Sequence, residues 1–262
     1  MEHDRLRATF DQAAELYDRA RPGYPSALFD DLAIEASLHA GSRILEIGCG
    51  TGQATVSLAE RGYEIVCVEL GAELAAVARR KLARFPSVEV AAAPFESWPL
   101  PPRAFDAVIS ATAFHWIDPA IRVTKSADAL RLGGVLATIS IHHVAGGDER
   151  FFAAVQACYE RWDPTTATAR RLPNASDIAS NSDELDRSGR FGPVLFRRYE
   201  WEVTYSTGEY LDLLLTYSGH RALAPAAREQ LLGCIGELIQ THFHGRVTKR
   251  YLTELRIAMR SC

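Results

Sequence analysis

The stretch Ile44 to Gln53, ILEIGCGTGQ, constrains the fold of this chain more than any other. Ile44, Leu45 and Ile47 read as a buried strand, the glycines at 48, 50 and 52 as a turn, and Gln53 or Ala54 as the start of a helix. Glycine has no Cβ and takes positive φ, so such a turn brings bare backbone against a ligand.

The same layout occurs in nicotinamide-binding folds, so the spacing decides. A dinucleotide fingerprint wants its third glycine three places after the second, with pyrophosphate on the helix N-terminus. Here that place is Gln53, and the third glycine comes early, at Gly52. Glu46 lies in the strand two residues before the first glycine, where its charge opposes a pyrophosphate and suits a cationic ligand. The pattern E-x-G-x-G-x-G in this setting resembles motif I of the class I S-adenosylmethionine-dependent methyltransferases. Their cofactor carries a sulfonium and an ammonium and no phosphate.

A second mark follows the next predicted strand, Glu64 to Val68, which Glu69 closes. An acid there, about 20 residues past the glycine loop, is placed to accept hydrogen bonds from both ribose hydroxyls. It does not separate the two cofactor classes, because both contain an adenosine ribose. After the strand Val88 to Val90 the family places an adenine-contacting loop that often begins with an acid. This chain has Ala93-Pro94-Phe95 instead, which leaves the backbone at 94 and 95 for adenine, with an N–H at Phe95 only.

The buried strand Phe105 to Ser110 runs into Ala111-Thr-Ala-Phe114-His115-Trp116. Open parallel sheets bind ligands beyond the carboxyl ends of their strands, so this loop is expected beside the glycine turn. It resembles the FHW segment of small-molecule methyltransferases related to trans-aconitate methyltransferase. Helix 121–130 and a turn at Arg131 to Gly134 lead to a strand over 135–141, with His142 and His143 expected at its carboxyl end.

The remainder follows by element order. An N-terminal helical segment, with apolar Leu6, Phe10, Ala13, Ala14, Leu16 and Tyr17 near helical spacing, ends at Arg21-Pro-Gly-Tyr24-Pro. The resemblance implies that it is a lid over the cofactor. A helix over 148–162 and a polar stretch to Gly189 read as an insertion covering the substrate, in which Arg161, Arg170 and Arg171 are candidates for meeting a carboxylate. A strand over 194–205, helices over 209–217 and 225–242, and a last strand over 246–259 complete the chain. The expectation is one α/β domain across 1–262: a Rossmann-like, doubly wound, seven-stranded sheet with a reversed C-terminal hairpin. Its parts are a lid (1–38), a cofactor core (39–145), an insertion before strand 6 (146–192) and C-terminal strands and helices (193–262).

Composition narrows the partners. The net charge of −4 gives no nucleic-acid footprint. No apolar run approaches the ~20 residues that span a bilayer, and the N-terminus has no apolar signal core. The five cysteines, at 49, 67, 158, 234 and 262, show neither disulfide nor zinc spacing and read as thiols of a reducing compartment, which points to the cytoplasm. The expectation is therefore no metal, no membrane, a small-molecule substrate, and a monomer or homodimer.

For the cofactor, S-adenosyl-L-methionine, the resemblance implies contacts from Tyr17, Arg21, Glu46, Gly48, Cys49, Gly50, Gly52, Gln53, Glu69, Leu70, Pro94, Phe95 and Ala111. Substrate contacts are expected from Tyr24, Phe114, His115, Trp116 and His143. Methyl transfer from a sulfonium needs alignment first and a base only where the nucleophile holds its proton. His115 is the candidate catalytic group, as base or hydrogen-bond donor, and Trp116 a wall of the pocket. The readings kept beside this one are an NAD(P)-dependent oxidoreductase and a protein that binds the methyl donor without turnover.

Overall fold

A computed structural model describes residues 11, 13–101, 103–163 and 171–261. Seven strands form a sheet of order β3-β2-β1-β4-β5-β7-β6. They are β1 (Arg43–Ile47), β2 (Glu64–Glu69), β3 (Val88–Ala92), β4 (Phe105–Ala111), β5 (Leu130–Gly147), β6 (Phe191–Ser206) and β7 (Arg246–Arg260). β1 pairs in parallel with β2 and β4, as do β2 with β3 and β4 with β5. β7 runs the other way. Arg260 donates to Leu130 O, Arg256 to Thr138 Oγ1, and Asp148 N to Thr248 O, so β5 rises as β7 falls. β6 reverses again, with Ser261 N on Arg190 O and Thr204 against Thr248. This is the expected Rossmann-like sheet with its reversed C-terminal hairpin.

By its contacts the chain divides into two compact units, and β5, β6 and β7 each belong partly to one and partly to the other. The first comprises Gly23–Ile141, Ser180–Tyr199 and Thr253–Cys262. Alternation along its strands sends side chains to two faces. Ile44, Cys67, Ala107, Ile109, Val135 and Ala137 join one core with α2 (Ser26–Glu35), α3 (Gln53–Ala59) and α4 (Ala72–Leu82). Leu45, Ile47, Val68, Val108 and Leu136 join the other with α5 (Arg122–Ala129) and Leu185 of α8 (Asp183–Ser188). Leu45 is fully buried, and a leucine of that kind contributes about 2 kcal/mol by burial.

The second unit comprises Met1–Pro22, His142–Ala179 and Glu200–Leu252. It holds α1 (Ala14–Ala20), α6 (Glu149–Ala154), α7 (Gln156–Trp162), α9 (Thr207–Leu214), α10 (Ser218–Ala222) and α11 (Pro225–His242). Phe151 is its hub, fully buried and edge-on to Phe152, Tyr210 and Phe243 at 5.2–5.4 Å between ring centroids. α9 opens on a capping box: Glu209 N donates to Ser206 Oγ, and the Glu209 carboxylate accepts from Ser206 N at 2.8 Å.

Three expectations are corrected. Cys158 of α7 and Cys234 of α11 are joined by a disulfide across 76 residues, with Cα atoms 5.8 Å apart. The pair meets only because two helices distant in sequence pack together, and spacing carries no sign of that. Cys49 and Cys67 are free and buried, and Cys262 lies outside the described residues. The compartment inferred from unpaired thiols loses its basis. Second, β5 does not stop at Ile141. Its alternation continues through buried Val144 to Gly147, so His142 and His143 stand within the strand and not at its carboxyl end. The expected turn at 131–134 survives as an irregularity inside β5, since Phe105 pairs with Leu130 and Ala107 already with Val135. Third, the helix expected over 148–162 breaks at Val155 into α6 and α7. Leu6, Phe10 and Arg170 lie outside the described residues.

Candidate active site

The glycine turn follows β1. Gly48, Gly50 and Gly52 take φ of 71°, 58° and 86°, and Gly52 caps α3. A Cβ on Gly48 would stand 2.4 Å from the Cβ of Ala113, so the loop after β4 lies against this turn, as the sheet topology predicted. Glu69, at the end of β2, ties the turn down: Oε2 accepts from Gly50 N at 2.8 Å and Oε1 from Gly71 N at 2.9 Å. At the turn, Thr51 Oγ1 and Gln53 Nε2 are buried without a hydrogen-bond partner. A buried polar atom left unpaired is costly, so these two atoms offer a polar ligand what no protein group fills. The residues present therefore fit a ligand that brings polar groups to the turn.

Glu46 behaves differently from its sequence reading. It is fully buried beside Thr55 and Cys67, and burial, with Glu69 adding to it, pushes its carboxyl up to about 7. A carboxyl that is half protonated at neutral pH is a weaker attractant for a cation than the sequence reading assumed. Cys49 is buried too, and the adjacent Cys67 thiol and burial hold its thiol well above the usual range. It is an unreactive neighbour of the turn.

Around the turn, Leu70 is 43% exposed, an unusual state for a leucine next to a buried acid, while Pro94 is exposed and Phe95 buried under the Lys125 ammonium. Ala111 ends β4 and Thr112 follows with φ of 54°, a left-handed conformation that is strained for a β-branched residue. Tyr24 Oη lies 3.2 Å from Thr112 Oγ1. Phe114, His115 and Trp116 form one 3-10 turn. Phe114 faces the core, its ring under Arg122 and its carbonyl accepting from that guanidinium. His115 is exposed, its ring 5.1 Å from that of Trp116.

The remaining predicted residues belong to the other unit. The Arg21 guanidinium stacks on the rings of Tyr17 and Tyr217, at 5.0 and 4.4 Å, and donates to Thr216 O at 3.0 Å. His143 packs between Tyr217 and Tyr251, with Nε2 3.4 Å from Tyr217 Oη. Burial and then the Lys249 and Arg21 charges push His143 down to about 2, so it is a neutral imidazole. Arg161 lies over Trp162, and Arg171 is exposed. Thr112 and Lys249 carried no sequence signal. The first is marked only by its backbone conformation, the second only by what surrounds it. Among the described residues no cluster of histidine, cysteine and acidic side chains could hold a metal ion, and no helix is long and apolar enough to cross a membrane.

Residues 45–138 match the methyltransferase domain family Methyltransf_11. An uncharacterized methyltransferase of Mycobacterium tuberculosis, Rv3342, is 37% identical over 134 residues, which are 51% of this chain and 52% of that protein. A methyltransferase-like protein of Schizosaccharomyces pombe, C25B8.10, is 36% identical over 109 residues, 41% of each chain. The aligned region thus spans about half the length of the curated relatives it matches. Among solved structures, a protein of Anaeromyxobacter dehalogenans described as a type II methyltransferase superposes with a TM-score of 0.62 at 25% identity, over 91% of this chain and 97% of that one. Haemonchus contortus phosphoethanolamine N-methyltransferase 2, at 17% identity, shares the fold with a TM-score of 0.55, over 96% of this chain and 58% of that one. These likenesses do not favour the nicotinamide reading. Residues 45–138 of this chain are thus similar to a methyltransferase domain, on a sheet of the order that the matched methyltransferase structures share.

Proposed function

We propose that the protein moves the methyl group of S-adenosylmethionine to a small-molecule acceptor by in-line displacement. The observation that carries this reading is the Glu69 carboxylate, fixed by the Gly50 and Gly71 amides at the edge of a glycine turn with polar atoms to spare. Glu69 receives the ribose hydroxyls. The backbone of Gly48, Cys49, Gly50 and Gly52, with Gln53, takes the amino-acid end. Leu70, Pro94 and the Phe95 amide border the adenine, Ala111 adds a strand-end contact, and Glu46 supports the turn from below.

The bound cofactor supplies an activated methyl on a sulfonium, so the protein's task is alignment and removal of water. His115 and Trp116 stand on a turn that Phe114 anchors in the core, and they form the acceptor wall with Tyr24. An exposed imidazole accepts a proton at neutral pH, and His115 serves as base where the acceptor is a hydroxyl or an ammonium. A carboxylate acceptor needs none, and His115 then donates a hydrogen bond. The acidic balance of the chain argues against a nucleic-acid acceptor.

Calorimetric titration with S-adenosylhomocysteine and separately with NADH tests the cofactor. Micromolar binding of the first alone is expected, and binding of NADH alone would reverse the assignment. With a labelled methyl donor and an acceptor panel, His115→Ala should lower turnover about 100-fold while leaving S-adenosylhomocysteine affinity within about twofold. An unchanged rate returns His115 to a packing role.

A further inference from the structure

Lys249 of β7 is 4% exposed, yet no hydrogen bond or ion pair holds its ammonium among the described residues. Its surroundings are ring faces: the centroids of Phe152, Tyr217 and Tyr251 lie 5.8, 5.7 and 5.6 Å from Nζ. A second cation shares the Tyr217 ring with it, since the Arg21 guanidinium sits 4.4 Å from that centroid and its Nε is buried without a partner. Cation–π attraction repays part of the cost of burying a charge, but two cations around one ring, with no ion pair to either among the described residues, remain under-compensated. Buried charges in folded proteins are paired or bind a ligand of opposite sign.

We infer that Lys249 is the anchor of a buried anion site, which takes the single anionic group of a small organic molecule. Arg21 supplies positive potential beside it, and neutral His143 with Tyr217 Oη supplies polar edges. The site lies in the unit of 142–179 and 200–252 and needs no part of the glycine turn, so it stands whether or not the methyl-transfer reading holds.

The charge state of the empty site gives a readout that mere packing does not. Burial and then Arg21 lower Lys249 from 10.5 to about 7. An arriving anion restores the charged form, so binding near neutral pH takes up a proton. Among the described residues, the titratable groups that act on this cluster include His142, His143 and His220, the tyrosines 159, 205, 217 and 251, and Asp163. His143 and His220 are pushed down mainly by burial, and Asp163 opposes that shift only at His220. The tyrosines are held up mainly by burial and stay neutral. Lys249 is therefore a group that changes charge when an anion arrives.

The full-length protein is titrated calorimetrically with benzoate, phenyl phosphate and neutral benzamide at pH 7.5 in buffers of different ionisation enthalpy. Each titration is repeated with S-adenosylhomocysteine present. Benzoate or phenyl phosphate should bind with proton uptake, benzamide should not, and whichever anion binds tells carboxylate from phosphoryl recognition. Lys249→Met, whose thermal unfolding confirms that it folds, should weaken the anion at least about tenfold and abolish the proton uptake. Lys249→Arg keeps a charge and should retain measurable binding. Equal anion binding by wild type and Lys249→Met, absence of binding by both anions, or displacement of the anion by S-adenosylhomocysteine overturns the inference. The last result would assign the pocket to the cofactor's own carboxylate. Failure of S-adenosylhomocysteine to bind at all touches only the methyl-transfer reading.

Discussion

The glycine turn and the aromatic cluster around Lys249 handle charge in opposite ways. At the turn, the acid Glu69 has both oxygens on backbone amides, one 19 residues away and one two residues away. In the cluster, cations are left to ring faces, and the contacts reach far along the chain, from Arg21 to Thr216 across 195 residues and from His143 to Tyr217 across 74. Backbone donors accompany every residue, so a site built from them is a local matter of turn geometry. A site built from side chains exists only after distant segments have packed. The first is set largely by its own segment, and the second depends on the fold around it.

If the second region depends on packing, cutting its covalent tie should be the most damaging change. Replacing both Cys158 and Cys234 by serine should lower stability by about 2–4 kcal/mol, the range for a bridge closing a loop of this length. Hydrogen exchange should rise in α7 and α11 and stay unchanged in β1 and α3. Equal loosening of both regions would erase the contrast. Next in size, Glu69→Ala removes the acceptor for two amides and for the ribose, so S-adenosylhomocysteine affinity should fall by about 3 kcal/mol, roughly 100-fold. Loss of fold along with affinity, read from circular dichroism, would mean that the turn is no more self-contained than the cluster.

A smaller effect follows from Lys249 itself. A lysine whose folded pKa is lowered gives stability that is present above 10.5 and lost as pH falls toward about 7. Lys249→Met should flatten that window and raise thermal stability at pH 6 by about 2 kcal/mol. Wild-type stability that does not vary between pH 7 and 10 would show that the ammonium is solvated after all.

How much was legible in the sequence follows the same division. Gly48, Gly50, Gly52, Glu69 and the seven-stranded order could be read because each rests on local backbone requirements or on strand periodicity. Lys249 could not be read, because a lysine in a strand pattern looks like any solvent-facing residue until Phe152, Tyr217 and Tyr251 close around it. The Cys158–Cys234 bridge failed for the same reason. His143 was expected at a strand end because the strand was read as closing at Ile141, whereas β5 carries the histidines on to buried Val144. Glu46 marks the limit within the legible region: its position was right, but its environment was invisible. Side-chain burial is a property of the packed sheet, and the motif alone does not state it.

Glu46 also gives the finest test of the comparison, since its buried carboxyl carries an uncompensated cost like that of Lys249. Its Oε1 has no hydrogen-bond partner, and its folded pKa is raised from 4.5 to about 7 by burial. The sign is the reverse of the lysine's. A raised carboxyl gives stability that is fully present below the unfolded value of 4.5 and lost as pH rises through about 7. Glu46→Gln keeps the shape and cannot ionise, so at pH 8 it should be the more stable protein by about 1 kcal/mol, with no gain at pH 4.5. Thermal unfolding of both proteins across this range reads the difference directly. A gain that grows toward low pH would mean that Glu46 is ionised and favourably placed in the native state. The glycine turn would then hold two paired acids, and its contrast with the Lys249 cluster would be sharper than burial alone makes it.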